Sequence, residues 1–259
     1  MGPLLCLVLA AGPLTAGCEP AREGLSFVYQ PAFSVDHALR GPAMAYVPQP
    51  GDLFLCTGKE TWSKLGHWLA WTAAPQHTGL VVARPDGRLL LLEAGPNYHL
   101  YCGSHDVVPQ LQSYADHERV WIRRRRVPLT AEQCAALTAF AEAVEGKRFA
   151  SVRLFAQITP FCTRGPLRTR YLGGPHGLRD SYYCSELVLE ACVAAGLLDA
   201  VTTRPSATYP RDLFFGRSSN PWIDKHLDMS EWEPPARWTL CPGTEPAIRR
   251  RPWLDLDSR

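Results

Sequence analysis

Tyr182-Tyr183-Cys184-Ser185-Glu186-Leu187-Val188 is the stretch that decides how the chain is read. Before it lies an irregular segment, Gly165 to Asp180, containing Gly173-Gly174-Pro175. After it, Leu187, Val188, Ala191, Ala194 and Ala195 recur at helical spacing, and Gly196 supplies the stop. Cys184 is therefore expected in the first turn of an amphipathic helix. Unpaired backbone N–H groups and the positive end of the helix dipole stabilise an anion there. An anionic sulfur is the nucleophilic form of a thiol. The competing reading is a small buried hydrophobe, the common fate of a free cysteine. A base and an orienting group elsewhere in the chain decide between the two.

The clearest hairpin supplies both. His77-Thr78-Gly79-Leu80-Val81-Val82-Ala83-Arg84 leads through Pro85-Asp86-Gly87 into Arg88-Leu89-Leu90-Leu91-Leu92-Glu93-Ala94. Pro85 fits the first central position of a type I turn and Asp86 the second. Gly87 takes the left-handed position that closes a three-residue loop. That loop pairs Arg84 with Arg88, Leu80 with Leu92, Gly79 with Glu93 and His77 with Gly95. His77 and Glu93 then project from one face as diagonal neighbours, about 7–8 Å apart. A two-residue loop would send Glu93 to the opposite face. Gly79 is expected to leave room beside the imidazole. A carboxylate at the end of four leucines needs a partner, because an unpaired buried charge is costly.

Around these segments, Gly51-Asp52 leads into Leu53-Phe54-Leu55-Cys56, read as a buried strand. Residues 60–73 carry Trp62, Leu65, Trp68, Leu69 and Trp71, a helix or crossover packing on that strand. Residues 97–117 read as loop. Val120–Arg123 reads as a strand, with the basic run Arg123 to Arg126 as its solvated end. Thr130 and Gln133 form a capping box for a helix to Glu145, ended by Gly146. Phe149 to Phe161 is ambiguous between helix and loop. Tyr209-Pro210-Arg211-Asp212-Leu213 is read as a return strand, and the tail from Asn220 as coil wrapping the domain.

Composition narrows the classes. The chain has 259 residues, 46% hydrophobic and 20% charged, with formal net charge +2. That is a globular balance with no case for nucleic acid as main partner. The nine cysteines include no C-x-x-C pair and no zinc-finger spacing. Pro3 to Ala16 is apolar, too short for a membrane span and of signal-peptide length. It ends in Thr15-Ala16-Gly17-Cys18, like a bacterial lipobox in which Cys18 would be lipidated and attach the protein to a membrane. Against this, no Lys or Arg precedes Arg22, and Thr15 stands where leucine is usual. The expected organisation is an export signal over 1–18, a tether over 19–47, a folded domain over 48–216 and a C-terminal coil over 217–259.

Gly51-Asp52-Leu53-Phe54, His77-Thr78-Gly79-Leu80-Val81, Leu92-Glu93-Ala94, Gly146-Lys147-Arg148-Phe149, Tyr183-Cys184-Ser185-Glu186-Leu187-Val188 and Pro210-Arg211-Asp212-Leu213 occur in that order. The set resembles the circularly permuted papain-like amidases of the NlpC superfamily, the YaeF/YiiX type. In unpermuted relatives the cysteine helix precedes the histidine strand; here it follows. The resemblance covers about residues 48–216. It implies an α+β fold, an antiparallel sheet packed on the cysteine helix. It implies a triad of Cys184 as nucleophile, His77 as base and Glu93 as the residue orienting His77.

The expected chemistry is hydrolysis of an amide in an exported envelope protein, with peptidoglycan peptides as the suggested substrate class. No metal or other cofactor is called for. The Cys184 N–H is expected to face the oxyanion, and Tyr183 or Tyr182 to add a donor. Two other classes compete. One is a lipid-directed acyltransferase or lipase, for which the apolar 60–73 segment would suit an acyl chain. The other is a non-catalytic envelope binding module.

Overall fold

The computed structural model describes residues 26–29, 32, 35, 41–57, 72–95, 99–156, 177–218 and 227–240. Residues 1–18, read from the sequence as an expected export signal, and almost all of the tryptophan-rich segment 60–73 lie outside the described residues. The strands are β1 (Ser26–Tyr29), β2 (Ala43–Tyr46), β3 (Leu53–Cys56), β4 (His77–Ala83) and β5 (Leu89–Gly95). They continue with β6 (His99–Asp106), β7 (Val120–Arg123), β8 (Arg148–Phe149), β9 (Ser181–Tyr182) and β10 (Ala236–Thr239). The helices are α1 (Val107–Ala115), α2 (Ala131–Val144), α3 (Ser151–Ala156), α4 (Cys184–Ala194) and α5 (Pro210–Phe215). All ten strands of the described residues join one sheet in the order β2-β1-β10-β7-β3-β4-β5-β6-β8-β9. Every pair is antiparallel except β8 with β9. The chain is thus a mixed α+β protein built on a large sheet.

The β4–β5 hairpin has the expected register, with Gly79 opposite Glu93 and Leu80 opposite Leu92. Gly87 sits at φ 82° and its N–H bonds the Arg84 carbonyl at 2.9 Å, closing the three-residue loop. The unbroken run Leu89–Leu92 follows from burial on both faces. Leu90 and Leu92 pack with α2 and α4, whereas Leu89 and Leu91 pack with Val107 and Leu111 of α1. Each fully buried leucine contributes about 1.5–3 kcal/mol of hydrophobic stabilisation. Strand alternation carries Glu93 to the α1 face, after Leu89 and Leu91.

The capping box on α2 is formed. Thr130 Oγ1 accepts from Gln133 N at 3.2 Å, and the Gln133 side chain accepts from Thr130 N at 3.0 Å. Several other expectations are corrected. Part of the proposed tether, 26–29 and 43–46, is strand, with β1 pairing β10. The C-terminal segment is not only wrapping coil: β10 is an inner strand between β1 and β7. Residues 99–115 are strand and helix rather than loop. Pro109 stands in the first turn of α1, where an N–H has no intrahelical partner. The segment after Tyr209 is the short helix α5, with Pro210 in its first turn and Tyr209 N bonded to Asp212 Oδ2 at 3.0 Å. Residues 151–156, left ambiguous between helix and loop, form α3.

Nor is the arginine run a solvated end. Arg123 and Arg125 are buried. Arg123 Nη1 donates to the Leu213 carbonyl at 2.7 Å. Arg125 pairs with Glu231 at 3.0 Å and lies over the Trp232 ring, 4.5 Å from its centroid. The run clamps residues 231–233 onto the sheet and is spent on that job rather than on an anionic ligand.

Candidate active site

Cys184 is the first residue of α4 and His77 the first residue of β4. Ten residues of helix following Cys184 pack a face made of Leu187, Val188 and Ala191 into the core. That burial fixes where the first turn lies relative to the sheet. The Cys184 thiol donates to the Gln76 carbonyl at 3.9 Å, next to His77 in the chain. It also lies in hydrogen-bonding reach of the His77 ring. Both side chains are nearly enclosed, at 9% and 6% exposure.

His77 Nε2 lies 2.8 Å from Glu93 Oε2. The Tyr114 hydroxyl is 3.1 Å from the same nitrogen and donates to Glu93 Oε2 at 2.8 Å. Gln110 Nε2 donates to the other carboxylate oxygen at 2.5 Å. With Nε2 so engaged, Nδ1 is the ring nitrogen left for the sulfur. Rings hold the imidazole on its flanks: Phe54 at 5.8 Å and Tyr114 at 5.4 Å between centroids. Space beside the ring comes from Gly95, not from Gly79. A Cβ on residue 95 would stand 2.8 Å from His77 Cε1, whereas one on residue 79 would meet the Leu92 carbonyl.

The electrostatics favour a charged pair. Burial alone pulls the His77 pKa down, but hydrogen bonds and charge from Cys184 and Glu93 outweigh it and push it up to about 10. Burial pushes Glu93 up, but its bonds to His77 and Tyr114 more than offset this, and it falls below the usual carboxylate range. Cys56, opposite His77 on β3, shows the contrary case. Burial, then the charges of Glu118 and Glu93, drive its thiol well above the ordinary value. Cys56 remains a protonated thiol beside the site.

The three residues singled out in the sequence, Cys184, His77 and Glu93, therefore come together. The two tyrosines do not join them. Tyr182 is in the core against Phe140, and its hydroxyl accepts from Arg179 N at 2.7 Å. The Tyr183 hydroxyl donates to the Pro205 carbonyl at 3.5 Å. Cys18 lies outside the described residues. Gln110 and Tyr114 were missed because 97–117 read as loop. The signal was present: Val107, Gln110, Leu111 and Tyr114 lie at helical spacing, with a glutamine inside the apolar stripe.

A second polar cluster lies under the same helix turn. Glu186 pairs with Arg153 at 2.7 Å and with Arg179 at 3.2 Å, and Arg179 reaches Glu190 at 3.5 Å. These contacts tie the start of α4 to α3 and to the segment before β9. Among the described residues no group of three His, Cys, Asp or Glu side chains is placed to hold a metal ion. Among them, too, no helix is long and apolar enough to cross a membrane.

The solved structure of metalloprotein yiiX from Escherichia coli O157:H7 is similar to this chain at 19% identity, covering 71% of this chain and 91% of that one, with a TM-score of 0.39. At that score the likeness fixes neither the connectivity nor the chemistry of the site. No family model matches the sequence, and no curated protein matches it.

Proposed function

We propose that this chain is a cysteine hydrolase that cleaves amide bonds through Cys184, His77 and Glu93 on a permuted papain-like fold. The observation that carries this reading is the His77 ring, beside the Cys184 thiol on one side and 2.8 Å from Glu93 Oε2 on the other. His77 accepts the thiol proton, and the sulfur attacks the substrate carbonyl carbon. The tetrahedral oxyanion is met by the Cys184 N–H at the helix start. The C–N bond breaks, His77 protonates the departing amine, and an acyl thioester remains on Cys184. Water, deprotonated by His77, attacks the thioester. The acid leaves and the thiol regains its proton. Glu93 holds the ring orientation throughout and stabilises the imidazolium.

The reading extends to export, lipidation at Cys18 and cell-wall peptides as substrates; these rest on the sequence of residues 1–18 and on the motif resemblance. The test is covalent labelling by a thiol-directed electrophile together with hydrolysis of peptidoglycan fragments, in wild type and Cys184→Ala. Selective labelling at residue 184 with turnover of a wall peptide is expected. Equal labelling of both proteins at one common cysteine would overturn the mechanism. Mass spectrometry of the protein from membranes reads the lipid on Cys18 directly.

A further inference from the structure

Gln110 and Tyr114 belong to none of the segments that carry Cys184, His77 and Glu93. They stand one turn apart on the buried face of α1, between Val107, Leu111 and Ala115. A leucine would fill the glutamine's place without burying an amide, which costs free energy unless it is hydrogen-bonded. Here the amide is bonded, and its partner is Glu93 Oε1 at 2.5 Å. The Tyr114 phenol is bonded to the other oxygen of the same carboxylate at 2.8 Å. One helix face thus grips both oxygens of one side chain.

We propose that Tyr114 and Gln110 are positioning residues for the hydrolytic step, holding Glu93 as a fixed carboxylate that aims the His77 ring at Cys184. This rests on the hydrolase reading above. A glutamate side chain turns about three bonds, and a carboxylate free to turn would let the imidazole turn with it. Anchoring both oxygens fixes the direction of the Nε2–H bond, and with it the direction of Nδ1. Donors to the ionised form also stabilise that form, so the shared proton stays on His77 and not on Glu93. The lowered Glu93 pKa, to which the Tyr114 bond contributes, agrees with this.

Other charged or titratable groups face Glu93 as well. His105 on β6 lies 3.9 Å from Oε1, and Cys56 on β3 feels its charge. Cys184 acts on it through His77, and the Glu118 charge acts on Cys56. Unlike these, the Tyr114 hydroxyl can be removed while its ring, 4.9 Å from Phe54, is kept.

The experiment follows alkylation of Cys184 by iodoacetamide against pH in the full chain, with the site read by mass spectrometry. Wild type, Tyr114→Phe and Gln110→Leu are compared, because this needs no substrate. Loss of either donor is expected to move the acid limb of the profile up by about one pH unit. At a fixed pH on that limb the rate falls about tenfold. Imidazole nitrogen-15 shifts of His77 should move with it, which lost stability alone would not cause. Gln110→Leu keeps the helix stripe apolar and carries the same expectation should Tyr114→Phe fold poorly. Profiles and shifts that superimpose on a selectively labelled wild type overturn this assignment and leave the hydrolase reading standing. Absence of preferential labelling at Cys184 in wild type overturns both.

Discussion

Glu93 and Glu186 are both closed off from water, yet their carboxyls are moved in opposite directions. Burial is the largest influence on each and favours the neutral form. Glu93 escapes it because the bond and charge of His77, the Tyr114 bond and the charge of His105 together outweigh burial, while Gln110 donates to its second oxygen. Glu186 has two guanidinium groups beside it and is still raised, because burial and the nearby Glu190 charge outweigh Arg153 and Arg179. Its Oε1 has an ion pair but no hydrogen bond. Donors on both oxygens hold Glu93 as an anion, whereas Glu186, bonded by Arg153 at one oxygen and set beside a second carboxylate, is not held so. One glutamate is thus fitted to accompany a moving proton, and the other to join three segments under the nucleophile helix.

The comparison breaks most sharply at the sulfur. Cys184→Ala is expected to abolish site-selective labelling and to lower turnover at least about 10³-fold. Chemical denaturation should shift little, since only one small side chain changes. Next in size is Glu93→Gln, which keeps the shape but removes the acceptor charge. It should lower the labelling or turnover rate by about 10²–10⁴-fold, by analogy with other orienting acids, while thermal melting changes far less. Glu186→Gln should do the reverse. It should cost about 3–5 kcal/mol in urea unfolding and leave Cys184 reactive, because it releases Arg153 and Arg179 without touching His77.

A smaller effect sharpens the role of the pair itself. The His77 pKa is raised from 6.5 to about 10, so its contribution to stability is fully present below 6.5 and is lost as pH rises through about 10. The Glu93 pKa is lowered from 4.5, so its contribution is present above 4.5 and is lost as pH falls through the depressed value. Asp52, fully buried and raised from 3.8 to about 7, also changes stability with pH and overlaps the His77 range. Subtracting the unfolding free energy of His77→Ala from that of wild type removes its share. The difference should be flat near pH 5–6 and should shrink toward pH 10. A difference that grows with pH would contradict the charged pair. Smallest of all, Thr130→Ala removes the cap of α2, remote from both glutamates. It should cost about 1 kcal/mol and leave the Cys184 labelling profile unchanged.

Much of the site was legible because it is encoded locally. A three-residue turn fixes the register of two strands, and the register fixes that His77 and Glu93 share a face. Helical spacing after Cys184 likewise fixes that it begins α4. The failures share one cause. Gln110 and Tyr114 lie in a segment read as loop, and their partner Glu93 comes from another strand. The basic run Arg123 to Arg126 has an ordinary solvated composition, but its partners include carbonyls, a carboxylate and a tryptophan far away in sequence.

The sequence by itself determined the hairpin, the cap of α2 and the start of the cysteine helix, because turn geometry, capping and periodicity act over a few neighbouring residues. Only the tertiary structure decided that β10 and β1 extend the sheet beyond β7, that Gly95 and not Gly79 makes room for the imidazole, and that α1 grips the carboxylate. Those outcomes depend on which distant surfaces bury one another, and strand pairing and side-chain packing across such separations leave no periodic mark in the chain.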